Sequence, residues 1–133
     1  MIVLDTHTLI WWVSDKDKLS KSASQAIETE LQSDNGQIFI SSITTWEISL
    51  LLQKGRLTLT MDLEQWLQTV TAIKNVYFIP VDNKIAIESV QLPGDFNPDP
   101  ADRMITALAR HYSAPLISCD NKIQKYKYVN TIW

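Results

Sequence analysis

This chain has almost no cysteine, little glycine and no long apolar run, and each shortage closes off a class of protein. Cys119 is the only cysteine among 133 residues, so no intramolecular disulfide can form and a reducing cytoplasm is the expected setting. Three glycines, five prolines and no repeat at a fixed period give no sign of a linker or a solenoid. No apolar stretch approaches the roughly 20 residues of a membrane span. The first apolar residues read as a strand at once, so no secretory signal is expected. Histidine and cysteine nowhere pair at zinc spacing. A net charge of −3 does not advertise a nucleic-acid partner, although a local basic surface would suffice to bind one. What is present is 45% apolar residues with five tryptophans, enough for one sizeable core, so a single globular domain spanning residues 1–133 is expected.

Short β-rich runs at Ile2–Leu4, Gln37–Ser41, Val76–Val81 and Pro115–Cys119, with a final one at Val129–Trp133, alternate with helical patterns. That alternation predicts an α/β fold with a mostly parallel sheet. Helices are expected over residues 8–13, 20–32, from about Ile43 to a C-cap near Gly55, and over 62–73, 85–92 and 100–112, followed by a short turn of helix at 122–127. The segment carrying Leu57 and Leu59 followed by the 62–73 helix reads as an inserted helical hairpin. Met104, Ile105, Leu108 and Ala109 are expected to face inward from the last long helix, and "LPGDFNPDP" before it is a loop punctuated by Pro and Gly.

The acidic residues are more informative than the apolar ones. Asp5 follows the first strand and Asp120 follows "PLISC", so both fall beyond the carboxyl end of a parallel strand, the edge where open α/β sheets bind ligands. In "TTWEIS" Thr44 is placed to cap a helix with Glu47 at its third position, and in "DPADR" Asp99 is placed to cap a helix with Pro100 first and Asp102 third. Helices that return from the carboxyl edge start there, so Asp5, Glu47, Asp102 and Asp120 are predicted to share one rim. Each acid alone has an ordinary structural role: an Asx turn for Asp120, a capping box for Glu47, a favourable helix dipole for Asp102. Asp5 fits such a role least, since no Gly or Pro beside it announces a turn. Four converging carboxylates must raise one another's pKa or recruit a cation, and all-oxygen ligands suit Mg²⁺ or Mn²⁺. Such a centre activates water for attack and stabilises a leaving oxygen, but spacing alone does not say that the electrophile is a phosphodiester.

Together "LDTHTLIWW", "TTWEIS", "DPADRMITALA" and "LISCD" resemble the PIN-domain family, and in particular VapC-like toxins of bacterial toxin–antitoxin pairs. The resemblance spans the chain and includes the spacing of these motifs, "LSKSA", "KGRL" and the "IW" ending. It implies a three-layer α/β/α fold and Mg²⁺- or Mn²⁺-dependent cleavage of RNA. By the same match Asp5, Glu47, Asp102 and Asp120 form the acidic metal site, with Thr6 beside it and Asp99 as an outer partner. It also implies a homodimer and an antitoxin protein that occupies the active-site groove. Relatives often carry a His or basic residue before the Asp-Pro pair and a bulky apolar residue inside the D-P-x-D-R motif, where Asn97, Pro98 and Ala101 stand here. Asp95 in the same loop adds a negative charge expected near the rim, and with it slower or narrower cleavage.

RNA approaching an acidic protein needs basic residues near the rim. The candidates are Lys54, Arg56, Arg103 and Lys122, with Lys125 and Lys127 interleaved with Tyr126 and Tyr128; the alternative is that these are ordinary solvated charges and core tyrosines. Arg103 is the best placed, either for substrate or to orient a carboxylate. Ser118 is placed either at the rim or in a helix layer, and His7 and His111 are read as structural. Trp11, Trp12, Trp46 and Trp66 could all be core, but adjacent Trp11 and Trp12 point about 100° apart on a helix, so one of them is a candidate for an interface. Three other readings stay open: a silent PIN-like binding module, a Mg²⁺-dependent Asp phosphatase, and a receiver-like domain. The phosphatase motif would need a second Asp where His7 stands, and a receiver would leave the Glu47 and Asp102 motifs unexplained.

Overall fold

The structure is a computed structural model that describes residues 1–133. Five strands, β1 (Ile2–Leu4), β2 (Ile38–Ser41), β3 (Val76–Ile79), β4 (Leu116–Ile117) and β5 (Thr131–Ile132), form a wholly parallel sheet in the order β3-β2-β1-β4-β5. Seven helices connect them: α1 (Thr6–Ser14), α2 (Lys21–Gln32), α3 (Ser42–Gln53), α4 (Leu63–Thr71), α5 (Asn83–Val90), α6 (Pro100–His111) and α7 (Asn121–Gln124). The strands are apolar without alternation because both faces of the sheet are covered. Ile2, Leu4, Ile38 and Ile40 pack on one face against Leu9, Ile27, Ile48 and Trp66 from α1 to α4. Val3, Phe39 and Leu116 pack on the other against Ile85, Ile105 and Leu108 from α5 and α6. This is the three-layer arrangement expected from the sequence.

The chain builds outward from β1 through β2 to β3 and then returns to place β4 and β5 on the other side. The reversal falls at β1 and β4, whose carboxyl ends are the position at which such sheets bind ligands in a crevice. Several local expectations change. Helix α1 begins at Thr6 rather than Thr8, because Asp5 itself is its cap and its Oδ1 accepts the Thr8 N–H at 2.9 Å. Helix α3 begins at Ser42 with Ser41 as its cap, so Thr44 lies inside the helix and does not form the predicted capping box. Gly55, at φ +68°, closes that helix as expected. Met104 is only half-buried, and Trp46 is 51% exposed, so neither is a core residue. Trp12 is buried while Trp11 is half-covered by the rings of His7 and Trp133.

Candidate active site

Four elements deliver acids to the carboxyl edge. Asp5 ends β1 and starts α1; its N–H donates to the Ile117 carbonyl of β4 and fixes it at the crevice. Glu47 projects from the second turn of α3. Asp99 caps α6, its Oδ1 accepting the Asp102 N–H at 3.0 Å with Pro100 first in the helix, as the sequence predicts. Asp120 caps α7, its Oδ1 accepting the N–H groups of Lys122 at 2.7 Å and Ile123 at 3.4 Å. The Asx-type role foreseen for Asp120 is therefore real and coexists with its place on the rim.

Electrostatics tie these acids into one group. Asp5 is 7% exposed, and burial raises its carboxyl above the ordinary range even though Ser118 and Thr8 hydrogen-bond to it. Glu47 is raised first by burial and then by the charges of Asp102 and Asp99, against the lowering effect of Thr6. Asp102 is raised by burial and further by Asp99, Asp120 and Asp5. His7 acts weakly in the opposite sense on Asp5 and Glu47, but none of the five makes a salt bridge: the ion pairs of the protein are Met1–Glu30 and Lys18–Asp15, with His111 against Glu88. Acids that crowd together without an ion pair, one of them buried and three half-buried, are a poor arrangement for stability and a suitable one for a divalent cation. The donors are all oxygen, which fits a hard ion, although no three carboxylates stand close enough as they are to make a finished metal cage. Each also keeps a protein hydrogen bond to one of its oxygens or its cap position.

Neutral neighbours orient the carboxylates. The Thr6 hydroxyl donates to Glu47 and is paired with the buried Thr44 hydroxyl at 3.1 Å. Ser118 is fully buried and reaches the rim rather than a helix layer, bonding Asp5 and accepting the Asp120 N–H at 3.1 Å. Asn97 Nδ2 donates to Asp102 Oδ2 at 2.9 Å. Thr44 and Asn97 are the residues that reading the sequence missed in these roles. A hydroxyl one turn before an acid on the same helix was the available signal for Thr44, and the Asx-Pro-Asp run was the signal for Asn97.

The expected basic surface is largely dispersed. Arg103 touches no carboxylate: its guanidinium donates to the backbone carbonyls of Ser89, Val90, Phe96 and Asn97, and it lies 6.0 Å from the Phe96 ring. Lys54 caps the far end of α3, about 10 Å from Glu47 along the axis at about 1.5 Å per residue, and Arg56 lies beyond it. Lys122 alone of the proposed substrate contacts is exposed beside a rim acid, Asp120. Asp95 opens onto a concavity shared with Lys125, Tyr126 and Lys127 and is not among the charges that chiefly perturb the rim acids. Tyr126 is buried and its hydroxyl donates to the Pro93 carbonyl.

Residues 2–128 match the family described as PIN domain. The chain belongs to the PIN-domain family. Ribonuclease VapC22 of Mycobacterium tuberculosis is 30% identical to this PIN domain over 134 residues, covering 99% of this chain and 98% of that protein. Among solved structures, a toxin–antitoxin complex from Klebsiella pneumoniae superposes on this PIN domain with a TM-score of 0.65 at 25% identity, covering 97% of this chain and 95% of that one. VapBC2 from Rickettsia felis, bound to a DNA fragment from their promoter, gives a TM-score of 0.67 at 19% identity over 98% and 97% of the two chains, a likeness of fold. In this PIN domain Asp5 lies where the β1–β4 reversal puts it.

Proposed function

We propose that this chain is a metal-dependent endoribonuclease and the toxin of a toxin–antitoxin pair. The observation that carries the reading is the convergence of Asp5, Glu47, Asp99, Asp102 and Asp120 at one sheet edge with no salt bridge to any of them. The likeness to Ribonuclease VapC22 and to a solved toxin–antitoxin complex supports RNA as substrate and an antitoxin as partner. Asp5, Glu47, Asp102 and Asp120 would hold Mg²⁺ or Mn²⁺, with Asp99 outside them. An ion bound there supplies a lowered pKa for water and charge neutralisation at the phosphodiester. Thr6 and Thr44 keep Glu47 turned to the rim, Ser118 ties Asp5 to Asp120, and Lys122 offers a cation to the RNA backbone. Cellular RNA as substrate sets the activity in the cytoplasm, and a homodimer is part of the same reading.

The test is cleavage of a structured RNA pool by wild type and Asp102→Asn, each purified free of any partner, with Mg²⁺, Mn²⁺ or EDTA. Cleavage that needs metal and disappears in a folded Asp102→Asn protein is expected. A metal-independent activity, or one that survives the substitution, would count against the acidic rim as the catalytic centre.

A further inference from the structure

Of the rim acids, Asp102 takes its side-chain hydrogen bond from a loop amide. Asp5 is held by Thr8 and Ser118, Glu47 by Thr6, and Asp120 by two backbone N–H groups, whereas the donor to the Asp102 side chain is the Asn97 amide at 2.9 Å. The other end of that amide is also engaged, since Asn97 Oδ1 accepts the Asp99 N–H at 2.7 Å. A backbone N–H can only donate, so the oxygen must face Asp99 and the NH₂ must face Asp102. The amide orientation is therefore fixed by its surroundings.

The loop that carries Asn97 is itself anchored. Arg103 Nη1 donates to the Asn97 carbonyl at 3.2 Å, while its Nε and Nη2 donate to Ser89 at 2.8 Å and Val90 at 3.3 Å. Ser89 and Val90 end α5, where carbonyls lack partners inside the helix. The guanidinium thus fastens the loop to α5, and the loop presents the amide to Asp102. That bond fixes which way the Asp102 carboxylate faces among the neighbouring charges of Asp99, Asp120 and Asp5.

We infer that Asn97 is a positioning residue that holds the Asp102 carboxylate toward the acidic site, an inference that rests on the ribonuclease reading above. Three measurements on the full chain test it. In metal-free, ¹⁵N-labelled protein, one Asn97 side-chain amide proton exchanges slowly in wild type and rapidly in Asp102→Ala. In a Mn²⁺ titration, Asn97→Ala binds about tenfold more weakly than wild type, the usual effect of losing a partner that orients a metal-binding group. Asn97→His, whose ring N–H can donate, recovers most of that binding. In RNA cleavage, Asn97→Ala lowers kcat with KM unchanged, and its melting temperature stays near that of wild type because Arg103 still anchors the loop.

Wild-type Mn²⁺ affinity in Asn97→Ala, or Asn97 amide exchange unchanged by Asp102→Ala, overturns the positioning role alone. A wild-type protein that neither binds Mn²⁺ nor cuts RNA overturns the ribonuclease reading and takes this inference with it. If Asn97→Ala does not fold, the amide-exchange comparison still decides the matter, because it leaves Asn97 in place.

Discussion

The two ends of the sheet treat their polar groups in opposite ways. At the amino end, Glu30 pairs with the Met1 ammonium and accepts the Gln37 N–H at 3.3 Å, while Asn75 Nδ2 donates to the carbonyls of Glu30 at 2.8 Å and Ser33 at 2.9 Å. Glu30 has a cation, and the turns there are tied by the Asn75 side-chain amide. At the carboxyl end five acids gather without a salt bridge, and burial raises three of them. One end satisfies its charges within the protein; the other leaves them for a ligand. Departures from internal satisfaction of this kind concentrate where a protein does chemistry rather than where it secures its fold.

The contrast can be broken most sharply at the acidic end. Asp102→Asn should lower RNA cleavage by roughly a hundredfold or more, since a metal centre supplies several kcal/mol of transition-state stabilisation, and single-turnover kinetics on folded protein would show it. The amino end should fail in stability instead. A Cβ at Gly36 would lie 1.8 Å from the Glu30 carbonyl oxygen and 2.8 Å from Asn75 Nδ2, so Gly36→Ala must displace backbone. Overpacking of this kind costs about 1–3 kcal/mol, and denaturant unfolding should register it while kcat per folded molecule is unchanged.

A smaller loss is expected at Asn75, which adopts φ +69°. Asn75→Gly removes only its two side-chain hydrogen bonds, worth about 1 kcal/mol each, whereas Asn75→Ala adds the strain of the left-handed backbone and should unfold at lower denaturant. Equal midpoints for the two variants would remove backbone strain from the account.

The smallest effect is a pH dependence opposite to the usual one for carboxylates. Asp5 and Glu47 have ordinary values of 3.8 and 4.5, and both are raised in the folded protein. The native state therefore keeps protons that the unfolded chain has released, and stability from these groups is full below the ordinary values and lost as pH rises through the raised ones. Melting of metal-free protein in EDTA should show a downward slope with pH across that window, shallower in Glu47→Gln. Added Mn²⁺ should restore the melting temperature at neutral pH.

Much of this architecture was legible in the sequence because it depends on local order. Apolar runs of a few residues bounded by helical patterns specify buried parallel strands, and Asp99-Pro100 specifies a helix start, whatever the rest of the chain does. Asp5 and Asp120 were legible for the same reason: a residue that ends a parallel strand lies at a known edge. Thr44 shows the limit, since its spacing to Glu47 fits a capping box but Ser41 ends β2 and captures the cap first.

The sequence by itself determined the element order, the two covered faces of the sheet, and the acids carried to its carboxyl edge, because these follow from periodicity, caps and strand ends. Only the tertiary structure decided which groups meet there. It turned Arg103 onto backbone carbonyls, sent Lys54 and Arg56 to the far end of α3, left Trp46 half in solvent, and set Asn97 against Asp102. The physical reason is that a side chain's partner is chosen by distance between elements and by which hydrogen-bonding groups remain unsatisfied there, and neither is written in the spacing along the chain.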